Sequence, residues 1–216
     1  MPNHILLIDK PAGITSHDVV DRVRKIFQTR RVGHAGTLDP FATGLLIVGV
    51  GAATKELSTY VGLDKTYIAT ARLGFTSTTD DPEGEISATA YCLPPTALDI
   101  ERALETFRGD YLQITPLYSA KKVGGKKMYE LARKGLGDTV KRPTKLVTIH
   151  DIVLRDVRWP DVTFETTCSS GTYIRALARD LGEKLGTGAY LTALRRTRIG
   201  DHRIEDATLI DQLSIP

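Results

Sequence analysis

A chain of 216 residues with 41% hydrophobic and 25% charged residues has the composition of a globular protein that buries a core. No apolar run approaches the roughly 18 residues of a membrane helix, and no cationic-then-apolar signal peptide begins the chain. The two cysteines, Cys92 and Cys168, are too few for a zinc site or a disulfide framework. We therefore expect reduced thiols and a cytoplasmic protein.

Strand and helix signals begin close to the N-terminus. Thr15 or Ser16 precedes apolar positions at helical spacing, which predicts a capped helix with one buried stripe. In chain order, we expect a strand at 4–9, this helix, a polar turn at 32–39, a buried strand at 45–50, a short helix at 54–61, and a strand at 65–73 with Tyr67, Ala69, Ala71 and Leu73 on one face.

Glycine and proline clusters divide the second half of the chain into short elements. We expect a loop at 76–84, a β-prone segment at 85–92, a helix with Ile100, Ala103, Leu104 and Phe107 on one stripe, extended chain at 111–123, a turn at 124–125, a helix at 127–134, strands at 146–157 and 162–168, helices at 172–185 and 206–213, and a mixed segment at 190–199. Strands outnumber long helices and do not alternate with them. This favours an α+β fold with a mixed, mostly antiparallel central sheet and flanking helices.

The net charge of +3 is unevenly distributed. Residues 120–146 hold nine bases and two acids, a local charge of +7, while the rest of the chain carries −4. Basic charge gathered on one segment indicates a polyanionic partner, most often nucleic acid. The alternative is a solvated basic face without a partner.

One carboxylate lies in a setting suited to chemistry. Asp39 belongs to a turn that contains Gly33, Gly36 and Gly44, and the buried strand follows at once. Because Asp39 precedes a proline, it is held out of the helical region, although Asp-Pro is also ordinary turn chemistry. The chain contains no phosphate-binding loop, dinucleotide fingerprint or nucleophile elbow, and its five histidines lack metal-ligand spacing. We expect neither a cofactor nor a metal.

Five motifs in chain order resemble those of the TruB family of pseudouridine synthases. They span residues from about 4 to about 200, and five ordered motifs are far more specific than one. The motifs are Leu7-Ile8-Asp9-Lys10-Pro11-Ala12-Gly13-Ile14-Thr15-Ser16; Gly36-Thr37-Leu38-Asp39-Pro40; Asp64-Lys65-Thr66-Tyr67 with Arg72-Leu73-Gly74; Tyr118-Ser119-Ala120 with Tyr129-Glu130-Leu131-Ala132-Arg133; and Ser170-Gly171-Thr172-Tyr173-Ile174-Arg175.

The resemblance implies a fold, a reaction and a set of site residues. The fold is the pseudouridine synthase catalytic fold, and the reaction isomerises uridine 55 in the T-arm of tRNA to pseudouridine. Asp39 is the implied catalytic group, acting either as a nucleophile at C1′ or by assisting departure of the base and loss of the C2′ proton. The implied substrate-binding residues are Arg175 as a cationic partner of Asp39, Tyr67 as a stacking platform, His34 in the space vacated by the flipped base, Leu191 as pocket lining, and Lys10 and Asp80 as organisers of the pocket.

RNA contacts are expected mainly from the basic segment, an insert at about 120–146. The predicted contact residues are Lys121, Lys122, Lys126, Lys127, Arg133, Arg142, Arg195 and Arg196. We expect one catalytic domain over 1–216 without the RNA-binding PUA domain of other family members, acting as a monomer on the tRNA T-arm and not on membranes. The alternatives are a guide-RNA-dependent subunit acting on ribosomal RNA, a non-catalytic RNA chaperone, and a basic α/β domain of other function.

Overall fold

The computed structural model describes residues 3–90, 93–119, 121–133 and 142–214, without the side chains of residues 122, 123, 126, 127, 131 and 133. The strands are β1 (His4–Lys10), β2 (Val32–Ala35), β3 (Thr43–Val50), β4 (Lys65–Leu73), β5 (Phe75–Ser77), β6 (Ile86–Ala88), β7 (Gly109–Ile114), β8 (Lys122–Val123), β9 (Lys126–Lys127), β10 (Thr144–Arg158), β11 (Asp161–Cys168), β12 (Ala189–Ile199), β13 (His202–Arg203) and β14 (Thr208–Leu209). The α-helices are α1 (Ser16–Ile26), α2 (Leu57–Val61), α3 (Ala97–Glu105), α4 (Met128–Arg133) and α5 (Ile174–Lys184).

Ten of these strands form one mixed sheet. The order is β14-β1-β3-β12-β4-β11-β10-β7, with β2 also paired to β3 and β13 to β12. The pairings of β1 with β14 and of β3 with β12 are parallel, while β1 with β3, β2 with β3, and β7 with β10 are antiparallel. The prediction of an α+β fold built on a mixed sheet is therefore confirmed.

The chain divides into two compact units. Unit 1 comprises Met1–Ile68, Thr167–Ser170 and Ala193–Pro216, and unit 2 comprises Ala69–Thr166 and Gly171–Thr192. The expected single domain over 1–216 stays a prediction.

Unit 1 is built around β3. Leu46, Val48 and Val50 on one face of β3 join a core that includes Val19 and Val23 of α1. Leu45 and Ile47 on the other face pack with Leu57 of α2 and Ile199 of β12. The strand is buried on both faces, as its continuous apolar sequence predicts.

Helix α1 begins at a capping box. Thr15 Oγ1 accepts a hydrogen bond from the Asp18 amide at 3.0 Å, and Asp18 Oδ2 accepts one from the Thr15 amide at 2.7 Å. These two bonds satisfy donors that the first helical turn would leave unpaired. Of the two caps that the sequence allows, the structure uses Thr15, which leaves Ser16 available for another contact.

Unit 2 has its own core, to which α3, α5 and β10 contribute. Ile100 and Leu104 of α3, Ile149 of β10, Phe164 of β11 and Leu177 of α5 are all buried. Helix α3 packs against β10 and α5, and Thr96 caps it through a second capping box with Asp99. The predicted stripe of α3 is thus the face that packs.

Two predicted elements are wrong, because each contains a segment that pairs with another strand. The segment 32–39 is not a turn throughout, because Val32–Ala35 forms β2, which pairs with β3. Residues 206–213 form no α-helix, because Thr208–Leu209 pairs with β1 between short 3-10 turns. The expected helix at 54–61 is present as the end of a 3-10 turn, Gly51–Glu56, followed by α2.

Candidate active site

In unit 1, Asp39 lies in the loop between β2 and β3 and is half-buried. Two glycines frame this loop, Gly36 at φ +82° and Gly44 at φ +105°, a region that other residues rarely adopt. A β-carbon on Gly44 would lie 2.2 Å from the backbone oxygen of Arg196 on the neighbouring strand. Glycine is therefore required at Gly44 by both conformation and space. The Asp39 carbonyl also accepts a hydrogen bond from Ala42 N at 3.1 Å, which tightens the turn.

The first family-like motif holds this loop from one side. The Lys10 side chain is 0% exposed, and its Nζ donates to the carbonyls of Pro11 at 2.9 Å, Ile14 at 2.7 Å and Pro40 at 3.2 Å. Lys10 is thus a buried cation whose charge is spread over three backbone oxygens, one of them next to Asp39. The predicted role of Lys10 as an organiser of the pocket fits this geometry and stays a prediction.

Ser16 is a loop contact that the sequence reasoning missed. Its Oγ accepts a hydrogen bond from Leu38 N at 2.9 Å and donates to Leu38 O at 3.1 Å. The residue before Asp39 is thereby paired on both of its backbone groups. The sequence signal was present, since two hydroxyl residues stand at the start of α1 and only one can cap it.

Arg196 holds the loop from the other side. Its side chain is 1% exposed, with Nε donating to Leu45 O at 2.7 Å and Nη2 donating to Gly36 O at 3.0 Å. A guanidinium occupied in this way in the interior cannot act as a surface contact for phosphate. This burial argues against the prediction that placed Arg196 among the RNA-contacting residues.

Tyr67 on β4 of unit 1 is 8% exposed. Burial raises the pKa of its hydroxyl, while the charge of Arg196 lowers the pKa in part. The nearby charges of Cys168 and Asp39 act in the raising direction. Tyr67, Arg196 and Asp39 are therefore close enough to interact electrostatically, whereas the sequence selected Tyr67 and Asp39 for the site and Arg196 as an RNA contact.

His34, on β2, is half-buried, and its Nδ1 is buried without a hydrogen-bond partner. Burial lowers the pKa of His34, and the neighbouring charges of Arg196 and His17 lower it further. The imidazole is consequently neutral at physiological pH. A neutral ring can occupy space that a base vacates without adding another charge.

In unit 2, Arg175 lies in the first turn of α5 and is buried. Its Nη1 donates to Thr79 O at 2.9 Å and lies 3.2 Å from Asp81 Oδ2, and its Nη2 donates to Tyr118 O at 3.0 Å. The sequence reasoning selected Asp80 and missed Asp81, although the two acids are adjacent. The predicted pairing of Arg175 with Asp39 stays a prediction.

Asp80 belongs to a charged cluster of unit 2. Its backbone has φ +61°, and its Oδ2 lies 3.1 Å from Arg179 Nη1. Arg179 also binds Asp180 at 2.7 Å, and Asp180 in turn accepts a hydrogen bond from the Tyr111 hydroxyl. Burial raises the pKa of Asp80, and the charges of Arg179, Arg175 and Arg142 oppose this rise.

Leu191 on β12 is fully buried, and its amide donates to the Asp80 carbonyl at 3.1 Å. This bond joins a buried strand residue to the strained backbone of Asp80. Leu191, the predicted pocket lining, is thus bonded directly to Asp80, the predicted organiser, and both roles stay predictions.

The basic segment is described only in part. Lys121 and Arg142 are exposed, β8 and β9 form a two-stranded hairpin, and α4 follows as predicted. Residues 120 and 134–141 lie outside the described residues, as do the side chains of Lys122, Lys126, Lys127 and Arg133.

Arg195, the remaining predicted RNA contact, is already engaged in unit 1. Its guanidinium binds both carboxylate oxygens of Asp9, at 2.7 Å and 3.1 Å. The Arg195 side chain is 42% exposed, so the ion pair lies at the surface. Because Asp9 compensates its charge, Arg195 has less charge to offer a phosphate than Lys121 or Arg142.

Other classes of site find little support in the part of the chain that the structure describes. There, no group of three or more His, Cys, Asp or Glu side chains is placed to hold a metal ion. Among the same residues, no helix is long and apolar enough to cross a membrane.

Comparison with known protein families gives two matches that together cover most of the chain. Residues 24–174 match the TruB family pseudouridylate synthase (N terminal domain), and residues 175–214 match the tRNA pseudouridylate synthase B C-terminal domain. The chain therefore belongs to the TruB family of pseudouridine synthases and is an isomerase.

Curated relatives agree with this assignment. The chain is 50% identical to a protein named tRNA pseudouridine synthase B of Mycobacterium avium (strain 104), over 99% of this chain and 70% of that protein. It is 48% identical to the protein of the same name in Mycobacterium tuberculosis (strain ATCC 25618 / H37Rv), over 97% of this chain and 71% of that protein.

Solved structures confirm the pseudouridine synthase fold. A chain of a Cbf5-Nop10-Gar1 complex superposes with a TM-score of 0.76 at 29% identity, covering 97% of this chain and 53% of that one. A chain of an H/ACA RNP bound to a substrate RNA containing 2′-deoxyuridine gives a TM-score of 0.72 at 26% identity, over 97% and 51%. This chain thus spans about half the length of the solved chains.

Proposed function

We propose that this chain isomerises uridine 55 in the T-arm of tRNA to pseudouridine, with Asp39 as the catalytic carboxylate. Membership of the TruB family supports the reaction, and relatives named tRNA pseudouridine synthase B at 50% and 49% identity support tRNA as the substrate. The observation that carries the site is that Asp39 and Tyr67 lie close enough in unit 1 for the charge of Asp39 to raise the pKa of the Tyr67 hydroxyl. A rigid carboxylate beside a buried aromatic ring suits chemistry on a flipped nucleotide.

The reaction needs no group from outside the chain and the substrate. The bond from C1′ to N1 breaks, the base turns, and a bond from C1′ to C5 forms. The proton at C5 is lost and N1 gains one, so atoms and electrons balance without an oxidant or reductant. One carboxylate at the ribose side can start this sequence, by attack at C1′ or by assisting departure of the base with loss of the C2′ proton.

Tyr67 and His34 are assigned to the flipped base and to the space it leaves. Tyr67 offers an aromatic face, and stacking on such a face contributes about 1–3 kcal/mol per base. His34 is kept neutral by burial, so it can fill the vacated space without a desolvated charge.

Arg175, Leu191, Asp80 and Lys10 complete the proposed substrate-binding set. In unit 2, Arg175 is bonded to backbone carbonyls and a carboxylate, Asp80 is paired with an arginine, and the Leu191 amide donates to the Asp80 carbonyl. Lys10 supports the Asp39 loop in unit 1. Arg175, Asp80 and Lys10 are each held by more than one partner, as residues that shape a reactive geometry should be.

Phosphate contacts are proposed for the exposed basic segment. Lys121 and Arg142 are exposed, and exposure is needed for counterion release on binding RNA. Lys122, Lys126, Lys127 and Arg133 join them on charge alone.

The test uses the purified chain with an unmodified tRNA transcript and no guide RNA. Because pseudouridine has the same mass as uridine, it is mapped after carbodiimide labelling. We expect one modified site, which is lost in a matched transcript with cytidine at position 55. Modification at another position would overturn the assignment of position 55, and no modification of any uridine would overturn the proposed function.

Two of the alternatives predict that no uridine is modified in this assay, the opposite of the proposed function. A guide-dependent subunit would be inactive without a guide RNA and partner proteins. A non-catalytic RNA chaperone would help misfolded tRNA to refold but leave every uridine unchanged. The 50% identity to a tRNA enzyme, against 29% to the Cbf5 chain, favours activity without a guide.

A further inference from the structure

Two cations are the largest fully buried side chains among the described residues, Arg196 and Lys10. Moving a guanidinium out of water costs several kcal/mol unless its donors are satisfied in good geometry. A large apolar side chain such as methionine would fill much of the same space without that cost. Packing alone therefore does not explain why a charged side chain is buried at Arg196.

The hydrogen bonds of Arg196 reach both ends of the loop that carries Asp39. Gly36 O lies three residues before Asp39, and Leu45 O lies six residues after it. A single planar guanidinium thus fixes the distance between the two ends. The backbone of Arg196 contributes as well, because β12 pairs with β3 at Arg196 and Gly44, where Gly44 leaves no room for a β-carbon.

Tyr67 lies near the same guanidinium. The charge of Arg196 opposes the effect of burial on the Tyr67 hydroxyl. One side chain is therefore bonded to both ends of the loop that carries the catalytic carboxylate and is close to the stacking tyrosine.

We propose that Arg196 is a positioning residue for pseudouridine formation, which holds the Asp39 loop and the Tyr67 hydroxyl in a fixed mutual geometry. The inference rests on the proposed function, because it takes Asp39 and Tyr67 as the reacting pair. Lysine cannot replace Arg196, since a flexible ammonium is a point charge and lacks the rigid fork that reaches two carbonyl oxygens at once.

The first test compares Arg196→Lys with wild type in single-turnover and binding assays. We expect the rate constant at saturating tRNA to fall about 100-fold, because misplacing a reacting group by about 1 Å has an effect of that size. The Kd for tRNA and its salt dependence should not change. A weaker Kd with a reduced salt slope, at an unchanged rate constant, would show that Arg196 binds phosphate and would overturn the proposal.

The matched control is Arg155→Lys. Arg155 also makes a two-nitrogen contact with one acceptor group, Glu165 Oε2, at 2.7 Å and 3.1 Å, but it is an exposed residue of β10. The rate constant of the Arg155→Lys variant should stay within about twofold of wild type, as for most surface changes. A similar loss in both variants would mean that any arginine replacement on the sheet impairs the enzyme, and would contradict a specific role for Arg196.

A double-mutant cycle separates positioning from general loss of structure. If Arg196 acts through the Tyr67 hydroxyl, Arg196→Lys should reduce the rate at least about tenfold less in a Tyr67→Phe background than in wild type. A purely structural role would give equal losses in both backgrounds. Equal losses would therefore rule out the link between Arg196 and Tyr67.

A further measurement does not depend on the folding of an Arg196 variant. Buried, hydrogen-bonded guanidinium protons exchange slowly and are visible by nitrogen-15 NMR. Tyr67→Phe should shift one slowly exchanging set of guanidinium signals, that of Arg196. Unshifted signals would contradict a contact between Arg196 and the Tyr67 hydroxyl. Pseudouridine formation by wild type is scored separately, so an inactive wild type would defeat the proposed function and leave the NMR result to decide the contact.

Discussion

The two positively charged regions of this protein use the same residue types in opposite ways. At the Asp39 loop, Lys10 and Arg196 are buried and donate to backbone carbonyls on both sides of Asp39. In the basic segment, Lys121 and Arg142 are exposed. Cations of the first kind hold the chain in one geometry, whereas cations of the second kind can release counterions when RNA binds.

Local charge density distinguished only one of these regions. The segment 120–146 stands out in the sequence because nine bases lie close together, whereas Lys10 and Arg196 are separated by most of the chain. Only their hydrogen bonds to the Asp39 loop bring these two buried cations together. Buried cations in a site should therefore be sought among residues that satisfy carbonyls near a reactive group.

The largest effect should come from the carboxylate between the buried cations. Asp39→Asn keeps the size of the side chain and removes its charge, so the single-turnover rate should fall at least about 1,000-fold. Binding of tRNA, measured by filter retention, should stay close to wild type. A variant with a rate within tenfold of wild type would show that Asp39 is not the catalytic group.

Lys10→Met should lower the free energy of unfolding by about 2–4 kcal/mol, because three carbonyls lose a charged donor in the interior. Denaturant titration measures the loss. Lys25→Met, at an exposed position of α1, is the matched control and should change stability by less than about 0.5 kcal/mol. Equal losses in the two variants would contradict the structural role of Lys10.

The exposed region should respond to salt instead of to denaturant. Replacing Lys121 and Arg142 together by alanine should lower the slope of log affinity against log salt by up to about two units, if both contact phosphate. The rate constant on saturating tRNA should not change. Lys25→Ala with Arg30→Ala, two exposed bases outside the segment, should leave the slope as it is. An unchanged slope in the first pair would remove the basic segment as the RNA contact.

The smallest effect is expected at His34 and depends on pH. Burial holds the pKa of His34 below its ordinary 6.5, so the folded state resists protonation more than the unfolded state does. Its contribution to stability is present above pH 6.5 and is lost as pH falls through the folded pKa. The wild type should therefore lose stability relative to His34→Gln on acidification from about pH 7.5 to about pH 5. A constant difference between the two proteins would refute the buried neutral ring.

Local sequence determined most of the elements, because their signals act within a few residues. The capped helix α1, the doubly buried strand β3 and the alternation of β4 follow from hydroxyl caps, apolar runs and a period of two. The ordered motifs also indicated the family and Asp39, and the family matches confirm the former. The failures, at β2 and β14, are short segments whose structure depends on pairing with distant strands.

Tertiary structure alone decided what each charged side chain does. Arg195 and Arg196 are adjacent in an extended strand, so their side chains point to opposite faces. One pairs with Asp9 at the surface and the other enters the interior to hold the Asp39 loop. The same sequence context thus yields a surface ion pair and a buried positioning group. Their partners lie about 150 or more residues away in the chain, where no local pattern can reveal them.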